Sequence, residues 1–192
     1  MARPKEFEPD AAVSAAVTAF WGRGYDRTSL DELMTAMHIG RQSLYDTFGD
    51  KRQLYLRALD AYRGSTQAAM RALFGSGKPV RECFAAMLLG IVEESRADHE
   101  RGCLLLAANL ERNMDDEDIS RLVKTNQAEV EALFAKALHD AQQRGELTAD
   151  KEPAALARFF MATIQGMRTT ARARSDRVAL AQVARLALSL LD

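Results

Sequence analysis

Apolar side chains recur along this chain at intervals of three and four residues, and strict apolar–polar alternation is scarce. That spacing puts them on one face of a helix and not on one face of a strand. Residues 10–22 carry Ala12, Val13, Ala16, Val17, Phe20 and Trp21 on one side, with Asp10 as N-cap and Gly22 and Gly24 as stops. A short helix is predicted over 29–36 from Leu30, Leu33 and Met34, capped by Thr28 or Ser29. A third is expected over 41–47, and Gly49-Asp50 then breaks the chain before a longer helix over 50–73.

Gly75-Ser76-Gly77-Lys78-Pro79 is the clearest break downstream. Its spacing does not make a phosphate-cradling loop, because Ala72 and Pro79 stand where a Gly and a Ser or Thr are needed. A helix over 79–95 follows, with Val80, Phe84, Met87, Leu88 and Ile91 on one face. Gly102 opens an apolar segment over 103–110. The most regular pattern runs over 116–144, through Ile119, Leu122, Val123, Val130, Leu133, Phe134, Ala137 and Leu138, and stops at Gly145. Helices over 152–173 and 176–191 complete an all-α fold of about nine helices.

Composition narrows the class. With 192 residues, 47% of them apolar, the chain is long and greasy enough to bury a core. No apolar run approaches the roughly 20 residues that span a bilayer, and the opening MARPKEFEPD has no apolar stretch. A cytoplasmic location with no membrane partner is therefore expected. Cys83 and Cys103 do not make a disulfide framework and are expected as free thiols. His38, His99 and His139 are scattered, so neither a catalytic constellation nor a metal site is expected, and no cofactor is implied. Net charge is −1, with ten Lys/Arg against nine Asp/Glu in residues 1–72. Any contact with nucleic acid must rest on a local arrangement of cations, not on a basic bulk.

Such an arrangement is visible between residues 20 and 51. Two short helices joined by a tight turn suit a helix-turn-helix. Neither is long enough to be stable alone, so both must share a core, which Ala36, Ile39, Leu44 and Phe48 can supply. Residues of the 41–47 helix not used in packing face outward: Arg41, Gln42, Ser43, Tyr45 and Thr47. Those types suit base edges, thymine methyls and phosphates.

The run from Gly24-Tyr25 through Thr28-Ser29, Ile39, Leu44-Tyr45 and Phe48 to Lys51 resembles the TetR/AcrR family of bacterial transcriptional regulators. The specific match covers roughly residues 7–60; the remainder matches as a helical domain of suitable length. There are departures: His38 stands where a turn glycine is usual, Gly40 where a Ser N-cap is usual, Gln42 where a small residue is common and Thr47 where an aromatic or His is common. The resemblance implies a non-enzymatic regulator with a DNA-binding domain at 1–50 and a ligand-binding and dimerisation domain at 51–192, linked by the 50–73 helix. It implies a homodimer that binds double-stranded operator DNA and is released by a small hydrophobic inducer. DNA contacts are expected from Arg27, Thr28, Arg41, Gln42, Ser43, Tyr45, Thr47 and Lys51. Thr28 is expected to bond a phosphate at a helix N-terminus.

Met87, Cys103, Leu105, Asn109, Phe134, Met161 and Gln165 are expected to line an apolar inducer pocket with isolated amides. Each also suits a plain core position. Arg101-Gly102-Cys103-Leu104-Leu105 resembles the segment of family members that sense electrophiles or oxidants, so a thiol sensor is an alternative; a small buried hydrophobe is the simpler reading of Cys103. Cys83 reads as core. Ala162, Gly166 and Thr170 form a small-residue line at i, i+4, i+8, and with Phe159, Val183, Leu186 and Leu190 they are expected to build a four-helix dimer interface. A ligand-independent DNA binder and a small helical carrier or enzyme are the other classes left open.

Overall fold

A computed structural model describes residues 7–112 and 116–192. Every regular element among the described residues is helical. In chain order these are α1 (Pro9–Arg23), α2 (Leu30–Met37), α3 (Arg41–Phe48), α4 (Lys51–Phe74), α5 (Val80–Glu93), α6 (Arg96–Arg101), α7 (Leu104–Arg112), α8 (Glu117–Gln143), α9 (Pro153–Ala173) and α10 (Arg177–Leu188), with a final 3-10 turn at Ser189–Leu191. They gather into two compact units: Met1–Ser65 with Cys103–Val123, and Thr66–Gly102 with Lys124–Asp192. The boundary expected at residue 50 thus falls inside the first unit, and α4 and α8 each pass from one unit into the other.

The helix added to the expected nine is α6. The 79–95 pattern stops short because Glu94 is extended and Ser95 caps a new helix, its hydroxyl accepting the Asp98 N–H at 3.1 Å. Ser95-Arg96-Ala97-Asp98 carries that start signal in plain view.

In the first unit, α1 packs on α2, and Ala16, Phe20, Leu33, Leu44, Phe48, Leu54 and Tyr55 are fully buried between α1, α2, α3 and α4. Tyr55 is the aromatic hub, its ring 4.8 Å from Phe20 and 4.9 Å from Tyr25. The short helices are held at their ends as well as by burial. Ser29 caps α2 in a capping box, with its hydroxyl on the Glu32 N–H and the Glu32 carboxylate on the Ser29 N–H. At the other end His38 takes the left-handed conformation, φ 54° and ψ 41°, which glycine adopts most readily. Gly40 precedes α3 without a side-chain cap.

In the second unit four phenylalanines form the centre: Phe74, Phe84, Phe134 and Phe160, with ring centroids 4.1–5.4 Å apart in contacting pairs. α10 and α9 close over α5 around them. Polar ties hold the rim. Glu146 accepts the Val80 N–H at 2.8 Å, which caps α5, and the Arg144 Nε at 2.6 Å. His99 is buried, with Nε2 donating to the Ile91 carbonyl at 2.6 Å and Nδ1 hydrogen-bonded with the Ser175 hydroxyl at 2.7 Å. It therefore joins α6, α5 and the turn after α9 and is a structural residue. Among the described residues no group of His, Cys, Asp and Glu is placed to hold a metal.

Candidate nucleic-acid interface

α3 is eight residues long and only Leu44 and Phe48 of it are buried. They sit four apart, so they define one inward edge, and the rest of the helix turns outward. Arg41, Gln42, Tyr45 and Asp46 are exposed, and Ser43 and Thr47 are half-buried beside them. Tyr45 is 43% exposed, a large aromatic left in solvent while the neighbouring Leu44 is sealed. Arg41 Nη2 lies 3.9 Å from Asp31, a loose pairing on the surface. Gln42 Nε2 donates to Asp46 Oδ1 at 2.8 Å.

Cations flank this row. Lys51, the first residue of α4, holds its ammonium 4.3 Å above the Tyr25 ring. Arg57 lies over the Phe48 ring at 5.5 Å, at the end of α3. Arg27 is exposed before α2. Arg57 and Asp46 escaped the sequence reading: Arg57 because nothing in its own turn of α4 marks it, Asp46 because a carboxylate runs against expectation on a DNA-facing helix. The i,i+4 spacing of Gln42 and Asp46 was the available signal.

Thr28 behaves differently from its expected role. It is 1% exposed, and its hydroxyl donates to the Gly24 carbonyl at 2.6 Å. The N-terminus of α2 is already served by Glu32, whose carboxyl is held below its ordinary range first by the Ser29 backbone N–H and then by the Ser29 hydroxyl. Arg23 pairs with the same carboxylate. In this conformation Thr28 fixes the turn, and its exposed neighbours include Asp26, Arg27 and Ser29.

The expected pocket residues are divided between the two units. Cys103, Leu105 and Asn109 belong to the first; Met87, Phe134, Met161 and Gln165 belong to the second. Leu105 and Phe134 are buried in the cores of their own units and act in packing. Met87, Met161 and Gln165 are half-buried in the second unit, where the two methionines pack against the phenylalanine centre. Cys103 is half-buried immediately before α7, and its carbonyl accepts the Ala107 N–H at 2.9 Å. Cys83 is core, as its apolar company suggested; burial pushes its thiol up, and its sulfur lies 3.4 Å from the Leu73 carbonyl.

The residues expected at a dimer interface form an exposed set within the second unit. Phe159, Ala162, Gly166 and Thr170 are exposed on α9, Val183 and Leu186 on α10, and Leu190 in the last turn. A Cβ built on Gly166 meets open space. No described helix is long and apolar enough to cross a membrane.

A helix-turn-helix that buries two edge residues of its second helix and offers the rest to solvent, followed by a second helical unit, has the architecture of a DNA-binding regulator. Residues 12–58 match the family described as bacterial regulatory proteins, tetR family, and residues 80–187 match the tetracyclin repressor-like C-terminal domain. The chain belongs to the TetR family of transcriptional regulators. It is 30% identical to the HTH-type transcriptional regulator YezE of Bacillus subtilis (strain 168) over 100% of both chains. It is 32% identical to the HTH-type transcriptional repressor ComR of Escherichia coli (strain K12), over 98% of this chain and 90% of that one. Among solved structures, the TetR family regulator CifR, a cysteine mutant in complex with 26-bp double-strand operator DNA, superposes with a TM-score of 0.85 at 31% identity, over 99% of this chain and 100% of its own. These relatives are regulators and not enzymes.

Proposed function

We propose that this regulator is a ligand-responsive repressor: a cytoplasmic homodimer whose α3 helices read double-stranded operator DNA and let go when a small hydrophobic inducer binds. The observation that carries the reading is the outward row of Arg41, Gln42, Ser43, Tyr45 and Thr47 on a helix whose other edge is sealed by Leu44 and Phe48. Relatives named as repressors, and CifR on its operator, support the sense of regulation. Each α3 enters a major groove, Lys51 and Arg27 meet phosphates, and the dimer sets the spacing of the two heads.

The inducer is proposed to sit in the second unit against Met87 and Met161, oriented by the Gln165 amide. It releases DNA only if it prefers a head spacing that the operator does not, since equal affinity for both states shifts nothing. α4 runs through both units and is the proposed carrier of the coupling. The test is a fluorescence-anisotropy titration of the regulator's own promoter DNA. Wild type should bind and the Arg41→Ala, Tyr45→Ala double mutant should not. Equal binding by the two would place the reading head elsewhere.

A second reading has its own observation. Of the two cysteines only Cys103 has partial access to solvent, and CifR was solved as a cysteine mutant. A thiol-sensing repressor would release operator on alkylation, and Cys103→Ser would bind DNA but ignore the reagent. A non-reactive apolar ligand that frees both proteins from DNA supports the pocket; release by the alkylating agent alone, and only with Cys103 present, supports the thiol.

A further inference from the structure

Asp46 has the wrong sign for a phosphate-facing surface. It is exposed on α3 between Tyr45 and Thr47. It also stands in the last turn of that helix, Arg41–Phe48. A helix C-terminus carries partial negative charge, so a carboxylate there is disfavoured. The phosphates of an approaching duplex disfavour it again. A residue that breaks two local rules at a functional surface points to a role in function.

Its bond to Gln42 supplies the role. Gln42 Nε2 donates to Asp46 Oδ1 at 2.8 Å. As a surface pair on a helix this contact adds little stability. It does set the plane of the amide. The carboxylate accepts only, so Nε2 must be the donor, which leaves Oε1 and the second Nε2 proton for an outside partner. One acceptor and one donor side by side match the N6 amino group and N7 of adenine in the major groove. Asp46 Oδ2 still accepts, and among base edges it fits the N4 amino group of cytosine. Against guanine O6 or N7, or thymine O4, the carboxylate meets only acceptors and repels them. Positions 42 and 46 lie about 6 Å apart along the helix axis at 1.5 Å per residue. Base pairs rise about 3.4 Å per step, so the two side chains reach pairs within about two steps of each other.

We propose that Gln42 and Asp46 form one reading unit that selects an adenine and a cytosine within about two steps of each other in each operator half-site. Asp46 is then a specificity-determining residue, acting by disfavouring a guanine or thymine edge at the position it faces. The proposal rests on α3 being the DNA-reading helix.

The test uses the full-length protein. Wild type first selects its half-site from a random duplex pool. Every single-base-pair variant of that site is then titrated with wild type, Asp46→Ala, Asp46→Asn and Gln42→Ala. Wild type should lose roughly tenfold or more in affinity when one C·G pair, and one A·T pair within two steps of it, is replaced. Both Asp46 variants should shrink the C·G penalty to about twofold, keep the penalties at distant positions, and bind unrelated DNA more tightly because a negative charge is gone. Gln42→Ala should erase the A·T penalty. Thermal melts of the Asp46 variants should match or exceed wild type, since the helix loses an unfavourable charge. Asp46 variants that rank all operator variants as wild type does would overturn the proposal and leave a solvated surface pair. If wild type selects no sequence, or the Arg41→Ala, Tyr45→Ala double mutant selects the same one, the assignment of α3 fails, and the proposal with it.

Discussion

Arg52 and Asp116 are 64 residues apart and joined by two hydrogen bonds of 2.7 Å, Nε to Oδ2 and Nη2 to Oδ1. The same guanidinium reaches Asp118 Oδ2 at 2.7 Å. Asp116 is also the cap of α8, its Oδ1 accepting the Ile119 N–H at 3.2 Å. One carboxylate thus starts α8 and holds the second residue of α4, next to Lys51. The whole arrangement lies in the first unit, so the base of the DNA-reading head is braced from a segment far along the chain.

Asp116→Ala should therefore destabilise the first unit by about 1–3 kcal/mol, the size of a lost cap plus a charge-assisted bond. The pH dependence follows from the direction of its shift. The Arg52 hydrogen bond holds the Asp116 carboxyl below its ordinary range, against the opposing effect of burial. Its stabilisation is complete above the ordinary Asp value of about 4 and disappears as pH falls through the lowered value in the fold. Urea denaturation followed downward from pH 5 should show wild type losing stability more steeply than Asp116→Asn. Parallel curves would mean that the pair is isoenergetic with its solvated form.

His38 offers a test in the opposite direction. It sits at φ 54° at the end of α2, its N–H bonded towards Thr35 and Met34 and the Ile39 N–H bonded to the Met34 carbonyl at 3.1 Å. A non-glycine residue pays about 1 kcal/mol or more in this region, while a glycine there adds entropy to the unfolded chain. The His side chain is exposed and buries nothing in exchange. His38→Gly should be stabilising by up to about 1 kcal/mol, read as a raised thermal midpoint. A lowered midpoint would show that the imidazole contributes to the turn.

The helices are legible in the sequence because each marks its own beginning, end and inward face. Ser29, Gly145 and the 3.6-residue apolar period over α8 are local signals that the chain obeys, whereas Asp10, expected as the cap of α1, lies inside its first turn, behind Glu8 at the cap and Pro9 at the first helical position. The outward row of α3 is legible for the same reason: Leu44 and Phe48 fix which edge is inward. What is not local is harder to read. The bond between Arg52 and Asp116 spans two segments that no periodicity connects. Thr28 could cap or contact phosphate with equal sense in the sequence, and only the fold shows its hydroxyl turned to Gly24. Leu105 and Phe134 look alike as apolar residues on apolar helices, yet they serve cores of different units. His99 has no motif, and its role comes from Ile91 and Ser175, the latter 76 residues away.

Lys51 separates positioning from reading. Its ammonium lies over the Tyr25 ring at the start of α4, and its proposed partner there is a phosphate. Lys51→Ala should weaken binding to specific and unrelated DNA by about the same factor and reduce the slope of log affinity against log salt by about one. Arg41→Ala should instead cost on the order of 1–3 kcal/mol at one base pair and relax the preference there. Removing the cation also removes its contact with the Tyr25 face, worth about 0.5–1 kcal/mol at an exposed site, so thermal melting should fall slightly in the same variant. A Lys51 variant with an unchanged salt slope would take this residue off the DNA backbone.

The face shared by α9 and α10 carries the remaining prediction. Leu186 is 74% exposed and Val178 69%, and Val183 and Phe159 add further bare apolar surface in the same unit. Single exposed leucines are ordinary, but several large apolar side chains left bare on two helices that pack together, α9 and α10, support the proposed dimer surface. Ala162, Gly166 and Thr170 run along α9 without bulk, and the space above Gly166 is open. Small residues let another pair of helices approach closely, and a two-fold arrangement satisfies both copies with the same surface. The wild type should sediment as a dimer at micromolar concentration. Gly166→Leu should push the partner helices apart and Leu186→Glu should bury an unpaired charge, so both should shift the protein towards monomer while far-UV circular dichroism keeps its helical signal. Operator binding should fall with dimer content, because one recognition helix alone gives up the joint hold on two half-sites. A wild type that sediments as a monomer at that concentration ends the proposal, and variants that remain dimeric move the interface off this face.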